Sequence, residues 1–353
     1  MKSRHWQGLA APPINFLATL ERVDDAIDEN ADIASEILAH GLSAFGLNSQ
    51  PQGQSLDWRG TATPEDLSKA RTTINQIYRD WSAEGLAERN VCNGPVLDDI
   101  DKIFGHVSDK ARVRILVPGA GLARLVFDLC RKGFTTEGNE VSYHQLIASS
   151  WMLNHTQRSR QFKLYPFVCN FNNIVSREHQ LQAVEVPDVH PSTELEQTDG
   201  TRLSAVGDRM TMSASEFVIH YGDGAHHEVF DAVVTVFFID TAPNVLRYIE
   251  VVRSCLKKGG AWINIGPLLW HFGDRASRDT PGISESSMSG IETGIEEAGS
   301  VELTVEEVLL LIEQMGFAIE KHEIRDGGAG YIQNPESLLL NVYRLSHWIA
   351  RKL

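Results

Sequence analysis

Two glycines and an acid stand at a spacing that could hold a nucleotide-like ligand. The run Arg112-Val113-Arg114-Ile115-Leu116-Val117-Pro118-Gly119-Ala120-Gly121-Leu122-Ala123-Arg124 reads as a buried β-branched strand, a glycine turn and an apolar helix, and Gly138-Asn139-Glu140 follows. Gly119 and Gly121 keep the turn tight and leave bare backbone for a ligand. Glu140, ending the next strand, stands where a ribose presents its two hydroxyls, and an ionised carboxylate accepts from both. Arg124 occupies the place of the third glycine that would pack around a pyrophosphate. The pattern therefore favours an adenosine-containing cofactor without a pyrophosphate, such as S-adenosyl-L-methionine, over NAD. A plain strand-to-helix turn with a surface Glu stays open on these residues alone.

Further along, Phe237-Phe238-Ile239-Asp240-Thr241-Ala242-Pro243-Asn244 ends another strand with an acid at the level of the expected crevice. Asp240 or Thr241 could equally cap the following helix, with Pro243 in its first turn. Ile263 to Phe272 leaves the next strand and delivers His271 among aromatic neighbours, either as a functional group or as a packed ring. Tyr331 and Tyr343 are common strand residues and common ligand platforms. His226-His227 with His220 nearby has no convincing partners at ligand spacing, so no metal is expected. A G-x-S-x-G motif and a phosphate loop of the G-x-x-x-x-G-K-[ST] type are both missing.

These residues need a scaffold. The chain has 353 residues, enough for one large domain with an appendage or for two domains. A formal charge of -15 argues against a nucleic-acid partner, and no apolar run reaches the length of a membrane span. Cys92, Cys130, Cys169 and Cys255 are scattered and read as reduced. With an N-terminus that does not resemble a secretory signal, the expected location is the cytoplasm, with the nucleus also open. Residues 1–110 read as helical: Phe16 to Leu20 and Ile33 to Leu38 recur at helical spacing, Thr63-Pro64-Glu65-Asp66 starts a helix, and Asn48 to Gly53 is a loop. From residue 111 to 353 strands and helices alternate, which implies a mostly parallel sheet. Expected strands are Val113–Pro118, Thr135–Glu140, Met210–Ser215, Phe230–Ile239, Ala261–Ile265, Ala318–Arg325 and Leu338–Ile349. Residues 178–208, polar and broken by Pro187 and Pro191, read as an inserted loop, and 273–299 as a second loop and candidate lid. Thr304-Val305-Glu306-Glu307 restarts helix with a capping box.

Taken together, several segments resemble the carnosine N-methyltransferase family. They are Gln76-Ile77-Tyr78-Arg79-Asp80-Trp81-Ser82 with Gly85 and Glu88-Arg89, Leu116 to Leu122, Gly138 to Tyr143, Val186-Pro187-Asp188-Val189, Phe237 to Ala242, Trp262 to Phe272, and Gly330-Tyr331 through Tyr343. They run in order from about residue 65 onward. The resemblance implies a Rossmann-like class I methyltransferase fold, with a seven-stranded sheet behind an N-terminal helical cap region. It implies S-adenosyl-L-methionine as cofactor, with Gln76, Arg79, Gly119, Gly121, Glu140, Glu216, Phe217 and Val236 as its contacts. The implied substrate is a small histidine-containing molecule. Asp240 would accept the N–H of its imidazole, and His271 and Tyr343 would complete the pocket. Glu216-Phe217 stands where the family has Asp-Phe near the adenine, and three departures bear on substrate: Asp240-Thr241-Ala242-Pro243-Asn244 lacks the His that many members place before the Asn, Arg247 stands near a usually acidic position, and Asn341-Val342 precedes Tyr343 where relatives carry tyrosines. A methyltransferase for a specialised metabolite or a protein side chain, and a non-catalytic cofactor-binding module, are the competing readings.

Overall fold

The computed structural model describes residues 3–47, 60–199, 209–271 and 301–353. The expected loop at Asn48 to Gly53 and the expected lid at 273–299 lie outside these. In chain order the elements begin with α1 (Ser3–Ala10), α2 (Phe16–Ala44), α3 (Pro64–Trp81), α4 (Leu86–Phe104), β1 (Arg114–Pro118), α5 (Arg124–Arg131), β2 (Thr135–Glu140) and α6 (Tyr143–Asn154). They continue with β3 (Phe162–Leu164), α7 (Arg177–Gln180), β4 (Val184–Val186), α8 (Pro191–Asp199), β5 (Met210–Ala214), α9 (Phe217–Tyr221) and β6 (Phe230–Val236). The last are α10 (Val245–Cys255), β7 (Leu256–Gly266), α11 (Val305–Gln314), β8 (Phe317–Ala329) and β9 (Tyr343–Lys352). Among the described residues no helix is long and apolar enough to cross a membrane.

The chain forms two compact units. One takes in the chain up to Glu88, Ile147–Ser192 and Gly330–Asn341; the other takes in Arg89–Leu146, Thr193–Ala329 and the chain from Val342. In the first, the two apolar runs of the N-terminal region belong to one continuous helix, α2, which buries Val23, Ala26 and Ile33 at helical spacing, Val23 and Ala26 against Val168. Asn30 fixes it by a reciprocal pair with the Tyr165 backbone, Nδ2 donating to the carbonyl and Oδ1 accepting from the amide, both at 2.9 Å. Thr63 caps α3 through a full capping box with Asp66. The segment from 178, expected as a loop, carries β4 and α8 in its described part, with β4 pairing antiparallel to β3. Strands of three residues are too short for their alternation to register as a pattern.

The second unit is a seven-stranded sheet of order β5-β2-β1-β6-β7-β9-β8, parallel throughout except that β9 runs antiparallel to both β7 and β8. The Rossmann-like expectation is met. Buried Val and Ile runs in β1, β6 and β7 reflect a sheet covered on both faces. Trp262 of β7 meets Trp348 of β9 edge-on at 4.8 Å between ring centroids, with Phe317 of β8 beside Trp262. Several strand ends differ from the sequence reading: β7 begins five residues early at Leu256, β8 runs on to Ala329 and β9 to Lys352, and two further differences have a visible cause. β6 stops at Val236 because Phe237 takes a left-handed conformation (φ 53°) and Ile239–Thr241 turns. β9 begins at Tyr343, since Leu338, Leu339 and Leu340 are exposed and make no ladder.

A buried ionic group joins α4 to this sheet. The fully buried His347 ring lies 2.7 Å from Asp99 Oδ2 and 3.0 Å from Glu323 Oε1, and Lys321 Nζ lies 3.1 Å from Asp99. Burial alone would raise the Asp99 pKa, but His347 and Lys321 outweigh it and bring it down to about 2. Its contribution to stability is therefore present above the ordinary 3.8 and lost as pH falls through about 2. Asp99→Ala should cost about 3 kcal/mol at neutral pH by removing the buried anion that Lys321 and the His347 ring face. Urea denaturation of both proteins between pH 7 and about pH 2 checks the size and the direction.

Candidate active site

The carboxyl ends of β1, β2, β6 and β7 place the glycine turn, Glu140, the 237–241 turn and the 267–271 segment at one edge of the sheet. Gly119 and Gly121 both have positive φ, 68° and 56°. Their surroundings differ. A Cβ on Gly119 would stand 2.6 Å from Phe238 Cδ2, whereas the nearest atom to one on Gly121 is Gln145 Oε1 at 3.8 Å. Gly119 is thus glycine because Phe238 packs on it, and the open backbone for a ligand is at Gly121. The Phe238 ring cannot easily yield, being stacked on Tyr248 at 5.1 Å and edge-on to Phe217 at 5.5 Å. Gly119→Ala should therefore destabilise by about 2–5 kcal/mol, combining left-handed strain with overpacking, against about 1–2 kcal/mol for Gly121→Ala. Equal losses in thermal melts of the two variants would contradict this packing account.

Glu140 is buried, and three backbone amides hold its carboxylate. Gly121 N–H donates to Oε2 at 2.9 Å, and Val141 and Ser142 N–H donate to Oε1 at 2.9 Å each. An ionised carboxylate offers about four acceptor sites, so one directed acceptor remains for a ligand hydroxyl, at Oε2. Across the sheet Asn139 is locked by donation to Ser213 Oγ and the Ser215 carbonyl, which fixes the strand that presents Glu140. Val236 ends β6 half-buried opposite Ile265. Glu216 caps α9, its carboxylate accepting from Ile219 N–H at 2.7 Å. Phe217 lies in the core against Tyr221, Phe238 and Tyr248.

Asp240 is 1% exposed. It does not cap the next helix. Asn244 does, its side chain accepting from Leu246 and Arg247 N–H. Instead Asp240 Oδ2 accepts from Leu269 N–H at 2.9 Å, and its carbonyl accepts from His271 N–H at 3.2 Å, which ties the segment after β7 to the end of β6. Oδ1 is buried and has no hydrogen-bond partner among the described residues. Burial raises the Asp240 pKa, with the Leu269 amide and the His271 charge pulling it back. His271 is exposed, and Tyr343 presents its ring edge-on to Phe237 at 6.3 Å. The strained Phe237 backbone and the Leu269 donor left no trace in residue pattern. Asn244, followed by an apolar helical run, could have been read as the cap.

Gln76 and Arg79 lie on α3, in the helical unit. Gln76 is buried. Arg79 Nε and Nη2 donate to both Asp80 oxygens at 2.7 and 2.8 Å, and the Tyr331 ring lies 5.5 Å from its guanidinium carbon. Glu88 accepts from Ile332 N–H in the same unit, where Tyr331 and Ile332 both have positive φ.

A buried acid with one oxygen unpartnered among the described residues, an oriented carboxylate and a bare glycine turn fit a nucleoside-bearing cofactor and a polar ring substrate. The family model described as carnosine N-methyltransferase matches residues 57–353. The carnosine N-methyltransferase of Schizosaccharomyces pombe is 33% identical over 96% of this chain and 83% of its own length. That of Mus musculus is 32% identical over 96% and 76%. Among solved structures, the magnesium protoporphyrin IX methyltransferase of Synechocystis, with bound SAH, aligns over 81% of this chain and 95% of its own at 10% identity and a TM-score of 0.43. The chain belongs to the carnosine N-methyltransferase family.

Proposed function

We propose that this chain transfers a methyl group from S-adenosylmethionine to an imidazole nitrogen of carnosine or a close histidine-containing relative. The observation that carries the reading is Asp240: a buried carboxylate with one oxygen held by Leu269 N–H and the other without a partner among the described residues. Bound, S-adenosylmethionine supplies a sulfonium-activated methyl group. Glu140, held by its three amides, keeps Oε2 directed for a ribose hydroxyl, and the Gly121 backbone gives that ligand room. A neutral imidazole already has a lone pair on one nitrogen, so no strong general base is needed. Asp240 Oδ1 accepts the N–H of the other nitrogen, which selects the tautomer and offsets the positive charge the ring gains. His271, after β7, and Tyr343, at the start of β9, are assigned to the substrate pocket by family resemblance, as Gln76 and Arg79 are to the cofactor, Arg79 to its carboxylate.

The test is methyl transfer from labelled S-adenosylmethionine to carnosine, to free histidine and to a small-molecule extract, read by mass spectrometry. Ring-labelled carnosine is the expected product. Label appearing only in the extract would keep the methyltransferase and discard carnosine as the acceptor.

A further inference from the structure

Away from that site, β2 and α9 bring together three side chains that the sequence keeps far apart. Glu137 lies on β2, His220 on α9, and His226 in the short turn that follows, Gly224–His226. One ligand atom of each lies within 4.8 Å of the others. Sequence spacing showed the two histidines but not their partner, because the carboxylate comes from a strand more than eighty residues earlier.

We propose that Glu137, His220 and His226 bind a divalent transition ion of the zinc type. Two imidazoles and one carboxylate are borderline donors, suited to zinc and unlike the all-oxygen shells of calcium and magnesium. Each donor has the support that metal ligands carry. His226 Nδ1 pairs with Asp223 Oδ1 at 2.7 Å, which fixes the ring and leaves Nε2 for an ion. Tyr221 O–H donates to Glu137 Oε1 at 2.7 Å and meets Ser213 Oγ at 2.9 Å, which orients the carboxylate. His220 has no hydrogen bond on either ring nitrogen among the described residues, and its ring lies 4.9 Å from that of His226. Arg114 Nη2 lies 3.8 Å from Glu137 Oε2 and offsets part of the carboxylate charge. Tetrahedral zinc, with bonds of about 2.0–2.2 Å, sets its donors about 3.3–3.5 Å apart. All three residues are half-buried, so rotation of the unbonded His220 ring with small shifts of its two partners closes the difference while a water takes the fourth position. The bound ion crosslinks β2 to α9.

Zinc titration into the full chain by calorimetry tests the site without any activity readout. The expected result is one ion per chain, with a rise in melting temperature on zinc addition. His220→Gln and His226→Gln, folded by their zinc-free melts, should each weaken binding at least tenfold, Asp223→Asn about tenfold, and His227→Gln should leave it unchanged. Wild-type binding retained in both His220→Gln and His226→Gln, or no stoichiometric binding at all, would overturn the proposal.

Discussion

Asp240→Asn is expected to lower kcat for methyl transfer by about 100- to 1000-fold while leaving the affinity for S-adenosylhomocysteine unchanged. The size follows from removing a fixed charge aimed at a cation that develops in a buried setting, where a single preorganised group carries that much. The Leu269 amide holds Oδ2, so Oδ1 is the acceptor the substrate meets, and an amide there either donates where it should accept or accepts without charge. The pH dependence has a definite sign. Because burial raises the Asp240 pKa above the ordinary 3.8, the acid limb of the wild-type rate profile lies above the usual aspartate range, and the variant lacks it. A carboxylate with a raised pKa also costs the fold stability as pH rises through its titration, since the folded state holds the proton more tightly. Asp240→Asn should therefore melt no lower than wild type at pH 8 while being nearly inactive. Steady-state kinetics, calorimetry and thermal melts on one preparation check all three points.

Glu140→Gln should behave in the opposite way. Its effect falls on the cofactor: weaker S-adenosylhomocysteine binding by about 10- to 100-fold, as expected for a hydrogen bond to a charged group. At saturating S-adenosylmethionine, kcat should change far less than in Asp240→Asn. Three amide hydrogens converge on this carboxylate, so the side-chain NH2 of glutamine sets a donor against donors. Calorimetry gives the affinity, and rates measured at high cofactor give kcat. A normal Kd would remove Glu140 from the cofactor assignment.

The parts of this molecule governed by local rules were legible from sequence. The capping boxes at Thr63 and Thr304 form as their residue types dictate, and β2 spans Thr135–Glu140 as its pattern indicates. The site was legible in its residue types more than in their partners. Glu140 was recognisable as a strand-end acid, but of its three amide donors only Val141 and Ser142 are its neighbours in sequence, and the Gly121 amide reaches it only in the fold. Gly119 read as a ligand-facing glycine, and what packs on it is Phe238, which arrives from the turn after β6 more than a hundred residues later. The apolar run Leu338 to Val342 misled the placement of β9, because hydrophobicity signals burial only when tertiary structure supplies a cover, and these side chains are exposed. The β3–β4 pair was hidden by shortness.

The antiparallel β9 lies between β7 and β8, although it follows both in the chain. During synthesis β7 therefore emerges with one edge open, and β8 has no neighbour until β9 is released. Neither strand can complete its ladder early. A nascent chain halted before Tyr343 would present an unpaired edge rich in Trp and Ile, the kind of surface that pairs with other chains or recruits chaperones. Formation of the full sheet thus waits for β9, and the edge-on contact of Trp348 with Trp262 forms in that step.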